Sequence, residues 1–304
     1  MMVLCVMHFR RWENNMYTIF TDTDTDITAR EAKEFGYKLI SMPYSVNGKE
    51  VYPYVDFDTF DEHAFYQQLR EGTLPNTSAI NAFNYKQYFE PEFAAGNDIL
   101  YVHFSRVMSA SFDAMDQAVA DLKKKYPERN FYEVDTKGIT IGSLNIVYEI
   151  GDMYKAGKSV EEILMWAETE VDKFAVYFFA DDLKFFQRSG RVSGIAGFMG
   201  NMIGVRPILT MSSAGRMESV GKERGRVNAM KKLVNYMEEL GEDMDQHRVI
   251  IAHADAPELA AKMMEMVVER FGAGLDIHIV VVNPTAGSHC GPDTLGVSFH
   301  AKHR

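Results

Sequence analysis

The chain has 304 residues, 46% hydrophobic and 25% charged, which excludes a disordered protein and leaves room for one large or two ordinary cores. Its formal net charge of −11 argues against nucleic acid as a partner and against general attraction to anionic membranes. Two cysteines, Cys5 and Cys290, give neither a disulfide framework nor zinc-ligand spacing, and suit a reducing cytoplasm.

The apolar start Met1 to Met7 has Arg10-Arg11 behind it instead of in front, so no secretory signal is expected and residues 1–16 read as a loose extension. Tyr17 to Phe20 predicts a buried strand emptying into Thr21-Asp-Thr-Asp-Thr-Asp26, with a helix from Ala29 to Phe35. Lys38 to Val46 predicts a second strand, turned at Asn47-Gly48 into a partner near Val51 to Val55. Asp58 is placed to cap a helix through Leu69. Helices at Tyr85 to Ala94, Ser111 to Lys125 and Ile141 to Lys155 then alternate with strands Ile99 to Phe104 and Asn130 to Val134. That alternation predicts an α/β fold with a mainly parallel sheet flanked by helices.

A helix from Val160 to Val171 closes this N-terminal α/β domain, 17–172, and a C-terminal mixed α/β domain, 173–304, is expected to follow. Its elements are strands Phe174 to Phe179 and Arg206 to Thr210, a hairpin at Ala214-Gly215, and a helix from Arg226 to Leu240. Strand Arg248 to His253, helix Pro257 to Phe271 and strand Asp276 to Val282 complete it. Val192 to Leu209 is apolar, but four glycines, Asn201, Arg206 and Pro207 leave it too interrupted to span a bilayer.

Four groups of residues can carry chemistry. The loop Thr73-Leu-Pro-Asn-Thr77-Ser78-Ala-Ile-Asn81 is rich in hydroxyls, for which helix capping is the plainer explanation and ligand contact the sharper one. Ser105-Arg-Val-Met-Ser109-Ala110-Ser111 leaves a strand and opens a helix, where the hydroxyls serve either as helix caps or, with the free N–H groups, as an anion site. The strand near Val282 runs into a Gly, Pro, Ser and Thr loop bearing His289, expected to be extended, so that His289 and Cys290 point apart and form no nucleophile–base pair. Arg188, Arg191, Arg224 and Arg226 are basic spots on an acidic chain, suited to phosphate or partner contacts.

Other patterns are weaker. Asp24-Thr-Asp26-Ile-Thr28 fits the D-x-D-x-T pattern of haloacid-dehalogenase-like phosphotransferases, with Asp181-Asp182 as a magnesium pair and Ser105 as the phosphate-binding hydroxyl. The first strand, however, is expected to end at Phe20 or Thr21, too early to seat Asp24 at its tip. Gly157-Lys158-Ser159 follows a helix and lacks the glycine spacing of a P-loop. The series Gly194, Gly197, Gly200 and Gly204, among Met and Phe, fits close helix packing or a pliable apolar tunnel.

In order and spacing, Phe20-Thr-Asp22, Asn76-Thr77-Ser78, Ser105-x-x-Met-Ser109-x-Ser, Asp135-Thr136, Arg188-Ser-Gly-Arg191-Val-Ser, Arg206-Pro-Ile-Leu and Gly287-Ser-His289-Cys-Gly291-Pro292 resemble the DegV family. The resemblance runs from about Tyr17 to Val297, and the family's best-understood members are the fatty-acid-binding (FakB) subunits of bacterial fatty-acid kinase. Ser109-Ala110-Ser111 stands where the family commonly has Ser-Gly-Thr, and Ser189-Gly190-Arg191 where it has Gly-Gly-Arg.

The resemblance implies a cytoplasmic, FakB-like carrier with no catalytic residue, metal or cofactor of its own. It holds a long-chain fatty acid in a tunnel between the two domains. The carboxylate would be gripped at Thr77, Ser78, Ser109 and Ala110 beside His289, and a separate ATP-binding kinase subunit would phosphorylate it to an acyl-phosphate. Arg188, Arg191, Arg224 or Arg226 would meet the partner or the new phosphate. Transient membrane contact is compatible with that role. The rivals are a magnesium-dependent phosphatase using Asp24 and Asp26, and a lipid-responsive sensor.

Overall fold

Residues 17–193 and 204–304 are described by the computed structural model. The expected extension at 1–16 and the glycines at 194, 197 and 200 lie outside the described residues. The first half of the chain gives β1 (Tyr17–Asp22), α1 (Ala29–Phe35), β2 (Lys38–Ile40), β3 (Tyr44–Val46), β4 (Lys49–Val51), α2 (Glu62–Arg70) and β5 (Asn76–Thr77). It continues with α3 (Ala82–Ala94), β6 (Asp98–His103), α4 (Ser111–Lys125), β7 (Phe131–Asp135), α5 (Ile141–Lys155) and α6 (Val160–Glu170). The second half gives β8 (Phe174–Phe179), α7 (Leu183–Ser189), β9 (Val192–Ser193), β10 (Val205–Met211), β11 (Met217–Arg224) and α8 (Arg226–Leu240). It ends with β12 (Arg248–His253), α9 (Pro257–Phe271), β13 (Asp276–Val281), α10 (Pro284–Cys290) and β14 (Leu295–His300).

Strand and helix alternate early in the chain, and the sheet they form is wholly parallel, in the order β2-β1-β6-β7. Its central strand β6 is buried from Ile99 to His103, as a parallel strand covered on both faces must be. The second sheet is mixed, in the order β13-β12-β14-β8-β10-β11-β9, with β8 antiparallel to both β14 and β10. The fold is therefore α/β, one parallel sheet and one mixed sheet, as the alternation predicts.

Local differences have local causes. The strand expected over Lys38 to Val46 breaks into β2 and β3, because Pro43 has no N–H to give a ladder. At the break Met42 N donates to Thr23 Oγ1 (2.9 Å) and Ser41 Oγ to Pro53 O (2.7 Å). Asn47 and Gly48 turn β3 into β4 with positive φ at both residues, 52° and 78°, the hairpin those two residue types favour. β5 joins the other edge of β3, giving a small antiparallel sheet. Asp61, not Asp58, caps α2 by accepting from Ala64 N at 3.0 Å. Ser159, which resembles the end of a P-loop in sequence, caps α6 in a reciprocal box with Glu162.

Along β8 the side chains alternate between two cores. Phe174, Val176 and Phe178 face the parallel sheet and α5, while Ala175, Tyr177 and Phe179 face α8 and α9. Gly142 of α5 allows the helix to lie close, since a Cβ there would stand 2.9 Å from Val176 Cγ1. Among the described residues no helix is long and apolar enough to cross a membrane.

Candidate functional site

Residues following β1 and β6 on one side, and β8, β12 and β14 on the other, enclose a cavity of about 140 Å³. A single water needs roughly 10–15 Å³ of such space, so this is a ligand-sized void and not a packing defect. Its walls are mostly apolar and include Phe104, Met108, Ile141, Phe178, Phe186 and Met211. Thr77, Ser78, Ser109, Ala110 and His289 line the same cavity, so the structure brings together all five residues expected at a head group.

Each is held from behind. Thr77 sits in β5, opposite Tyr44 of β3, and its Oγ1 lies 2.9 Å from His289 Nε2. His289 lies on a helix, not on the extended loop its glycines and proline suggest. Asn283 caps α10 by accepting from Ala286 N (2.9 Å), and Pro284 occupies the first turn, where its missing N–H costs nothing. Two glycines permit the seat. A Cβ at Gly287 would come within 2.4 Å of Tyr66 Oη, and Gly291, at φ 73°, is 2.2 Å from Phe185 by the same measure. The segment is tied to the first half of the chain: Asn283 N and Nδ2 donate to Asp26 Oδ1 (2.9 and 2.7 Å), Thr285 Oγ1 to Met42 O (2.8 Å), and Tyr66 Oη to Val282 O (2.9 Å).

On the other lip, Ser109 Oγ donates to Ser111 Oγ (3.0 Å) and accepts from Ser111 N (3.2 Å). Ser111 Oγ also accepts from Ile80 N (3.2 Å), joining this turn to the Thr77 loop. Ala110, the N-cap of α4, offers no side-chain cap, so beyond the Ser111 N–H taken by Ser109 the positive end of a fifteen-residue helix stands at the rim. Ser78 Oγ donates outward to Glu50 Oε1 at 2.6 Å.

Burial first, then the positive charge of Arg191 and Arg188, lower the His289 pKa to about 4, so the imidazole is neutral at neutral pH. Burial pushes the Cys290 thiol up to about 12, which removes any nucleophilic thiolate. His289 and Cys290 do point apart as expected, but not because the backbone is extended. Consecutive residues on a helix diverge by about 100°, and that keeps the two side chains separate.

The basic residues divide. Arg191 lines the cavity, and Arg188 donates to Asn76 Oδ1 beside Thr77. Arg226 is instead clamped, donating to both oxygens of Asp181 (2.8 and 2.9 Å) and lying 3.2 Å from Asp293. Arg224 is exposed on β11, seven residues from Met217, whose register partner is Val192. At about 3.3 Å per residue that is roughly 20 Å, so the two basic spots do not form one patch.

The phosphatase constellation does not assemble. Asp181 is closed by Arg206 and Arg226, and Ser105 Oγ donates to Gly215 O (2.8 Å) at the tip of the β10–β11 hairpin. The acidic stretch itself lies elsewhere than expected. β1 continues to Asp22 and a single 3-10 turn, Thr23–Thr25, follows, which puts Asp24 in the cavity wall. Asp22 is buried, with its pKa raised to about 6 by desolvation, yet it accepts from Tyr101 Oη (2.9 Å), Phe104 N (3.3 Å) and Asp24 N (3.0 Å). Asp26, held by Asn283, is raised to about 7 by the same cause. Asp24 is raised well above the usual carboxylate range, by burial and then by Asp22 and Asp26. Its Oδ1 is buried with no hydrogen-bond partner, a deficit worth about 1–3 kcal/mol.

Thr140, which belongs to none of the sequence motifs, also lines the cavity, with φ 52° and ψ −132°, backbone that only glycine adopts freely. Its N–H donates to Asp24 O at 2.8 Å. No composition cue marks a threonine for such a position, so nothing in the sequence could have found it.

Residues 16–302 match the DegV family model, described as an uncharacterised protein family. A DegV domain-containing protein of Clostridium perfringens is 32% identical over 283 residues, covering 93% of this chain and 97% of that one. A fatty-acid-binding DegV family protein of Thermus thermophilus superposes with TM-score 0.81 at 20% identity, covering 94% of this chain and 99% of its own. A stearic acid-binding protein of Eubacterium ventriosum superposes with TM-score 0.80 at 18% identity, with coverage of 94% and 99%. With nearly the whole chain matched in sequence, the protein belongs to the DegV family.

Proposed function

We propose that this protein binds a long-chain fatty acid, with its carboxylate among Thr77, Ser109, the α4 N-terminus and His289, and its tail in the apolar cavity. The observation that carries this reading is one void with apolar walls and a lip of uncharged donors. Such a lip replaces the water of a carboxylate with neutral donors, and Arg191, which also lines the cavity, adds a positive charge nearby. The fatty acids held by the Thermus thermophilus and Eubacterium ventriosum proteins support it. Each buried methylene contributes about 0.8 kcal/mol, so a long tail supplies on the order of ten kcal/mol before ordering costs.

The bound acid is then presented to a separate ATP-dependent kinase subunit, which phosphorylates the carboxylate, with Arg188 and Arg191 meeting the partner or the new phosphate. Both are exposed at the side of the cavity where Thr77 and His289 meet, which supports that assignment. The cytoplasm is the expected setting. Native mass spectrometry of freshly purified protein tests the carrier reading: a co-purifying acyl chain is expected, and a protein that neither carries nor takes up any fatty acid would overturn it. Incubation of the loaded protein with a purified kinase subunit and ATP tests the second step, acyl-phosphate being the expected product.

A further inference from the structure

Three carboxyls, Asp22, Asp24 and Asp26, crowd into one turn, and the protein supplies donors to two of them. Asp22 receives three hydrogen bonds and Asp26 two. Asp24 is only 7% exposed, lines the cavity, and keeps Oδ1 without a partner. Both polar atoms of its backbone are engaged, N–H with Asp22 Oδ1 and C=O with Thr140 N, so the free capacity belongs to the carboxyl. Beside it Thr140 lines the same cavity, and its side chain makes no capping bond to α5. Asp24 also lies deeper than the lip: Ser78 and Ala110 are exposed, and Thr77, Ser109 and His289 half-buried, where Asp24 is buried.

A plain acyl tail is a poor neighbour for this group. A saturated chain offers no donor, and it would exclude any water that could serve as one. An ammonium group would match only the ionised carboxylate, and a ketone only the protonated acid. A hydroxyl both donates and accepts, so it matches either form. We propose that the cavity selects an acyl chain bearing a hydroxyl at the depth of Asp24, a hydroxy fatty acid, in preference to the unsubstituted acid of the same length. This rests on the fatty-acid reading above and assigns Asp24, with Thr140 beside it, as the specificity-determining pair.

The test uses the full-length protein stripped of lipid, titrated with stearic acid and with hydroxystearic acids in which the hydroxyl is stepped along the chain. At least one positional isomer is expected to bind about tenfold tighter than stearate, the value of one hydrogen bond to an ionisable group. Asp24→Leu, with the same number of side-chain heavy atoms and no donors or acceptors, is expected to reduce that preference to within about twofold. Equal binding of every isomer and stearate by the unaltered protein would overturn the inference and leave the fatty-acid reading intact, because stearate still binds. A preference that persists in Asp24→Leu would overturn the assignment to Asp24. Binding of neither class would sink both readings together. If Asp24→Leu fails to fold, the unaltered protein still decides whether the cavity prefers a hydroxy acid.

Discussion

The two faces of the mixed sheet are built from the same strands and serve opposite ends. On the face toward α8 and α9, Phe179, Ile208, Ile251, Leu295, Val297 and Phe299 are fully buried against one another and the helices. On the other face Gly296, Ala252 and Val176 alternate with them and border a void. Gly296 and Ala252 leave room on that face while Phe178 and Met211 supply apolar wall, so a single sheet is both keel and container. Packed core and cavity wall are thereby separated by one residue of register.

Substitutions can break that contrast. Phe299→Ala on the packed face is expected to cost about 3–5 kcal/mol in urea denaturation, with fatty-acid stoichiometry unchanged in the fraction that folds. A loss below about 1 kcal/mol would mean that this face is as loose as the other.

The pH response should belong to the hollow side, where the buried carboxyls lie. Asp26 titrates near 7 in the folded protein against about 3.8 when unfolded, so the native state holds the extra proton between those values. Its contribution is complete below pH 4 and is lost as pH rises through 7; His289, with its pKa lowered, acts oppositely and loses stability as pH falls from 6.5 toward 4. Asp26→Asn keeps an oxygen for Asn283 and tolerates the φ of 64° at that position. Between pH 5 and 7.5 it should lose less stability than the unaltered protein, by about 1.4 kcal/mol or more. Parallel curves for the two proteins would reject the assignment.

A filling substitution probes the void more gently. Ala252→Leu should change stability by less than about 1.5 kcal/mol, since it enters empty space. It should weaken fatty-acid binding more than tenfold by displacing two or more methylenes at about 0.8 kcal/mol each. A smaller effect is expected at the lip. Ser109→Ala and Thr77→Ala should each weaken binding by about 1 kcal/mol, read by calorimetry on the folded protein. Unchanged affinity in both would remove the carboxylate from this lip.

The sequence carries the regular elements well and the irregular ones poorly. Ser111 to Lys125, Ile141 to Lys155, Arg226 to Leu240 and Pro257 to Phe271 are helices with the bounds the periodicity predicts. Long amphipathic segments average over many residues, so single errors do not move them. α10 is invisible in the sequence for the converse reason. Seven residues containing Pro284 and Gly287 resemble a loop in composition, although Asn283-Pro284 is a cap followed by a first-turn proline. Thr77, Ser78, Ser109, Ala110 and His289 are marked in the sequence by the family resemblance, since capping alone accounts as well for hydroxyls at strand ends. Asp24 suggests the wrong chemistry in sequence, since its meaning depends on β1 reaching Asp22 and on donors that come from distant residues. Arg224 and Arg226 look like partners of Arg188 and Arg191 only because linear spacing hides the length of a strand.

The tethering of α10 bears on how the chain can be divided. His289 comes after nearly all of the second sheet, yet Thr77, Met42, Tyr66 and Asp26 hold its helix in place. A cut between α6 and β8 would therefore yield two fragments, neither with all the residues of the proposed carboxylate seat. On the fatty-acid reading proposed above, uptake could return only by complementation, through reassembly of both pieces around that one short helix.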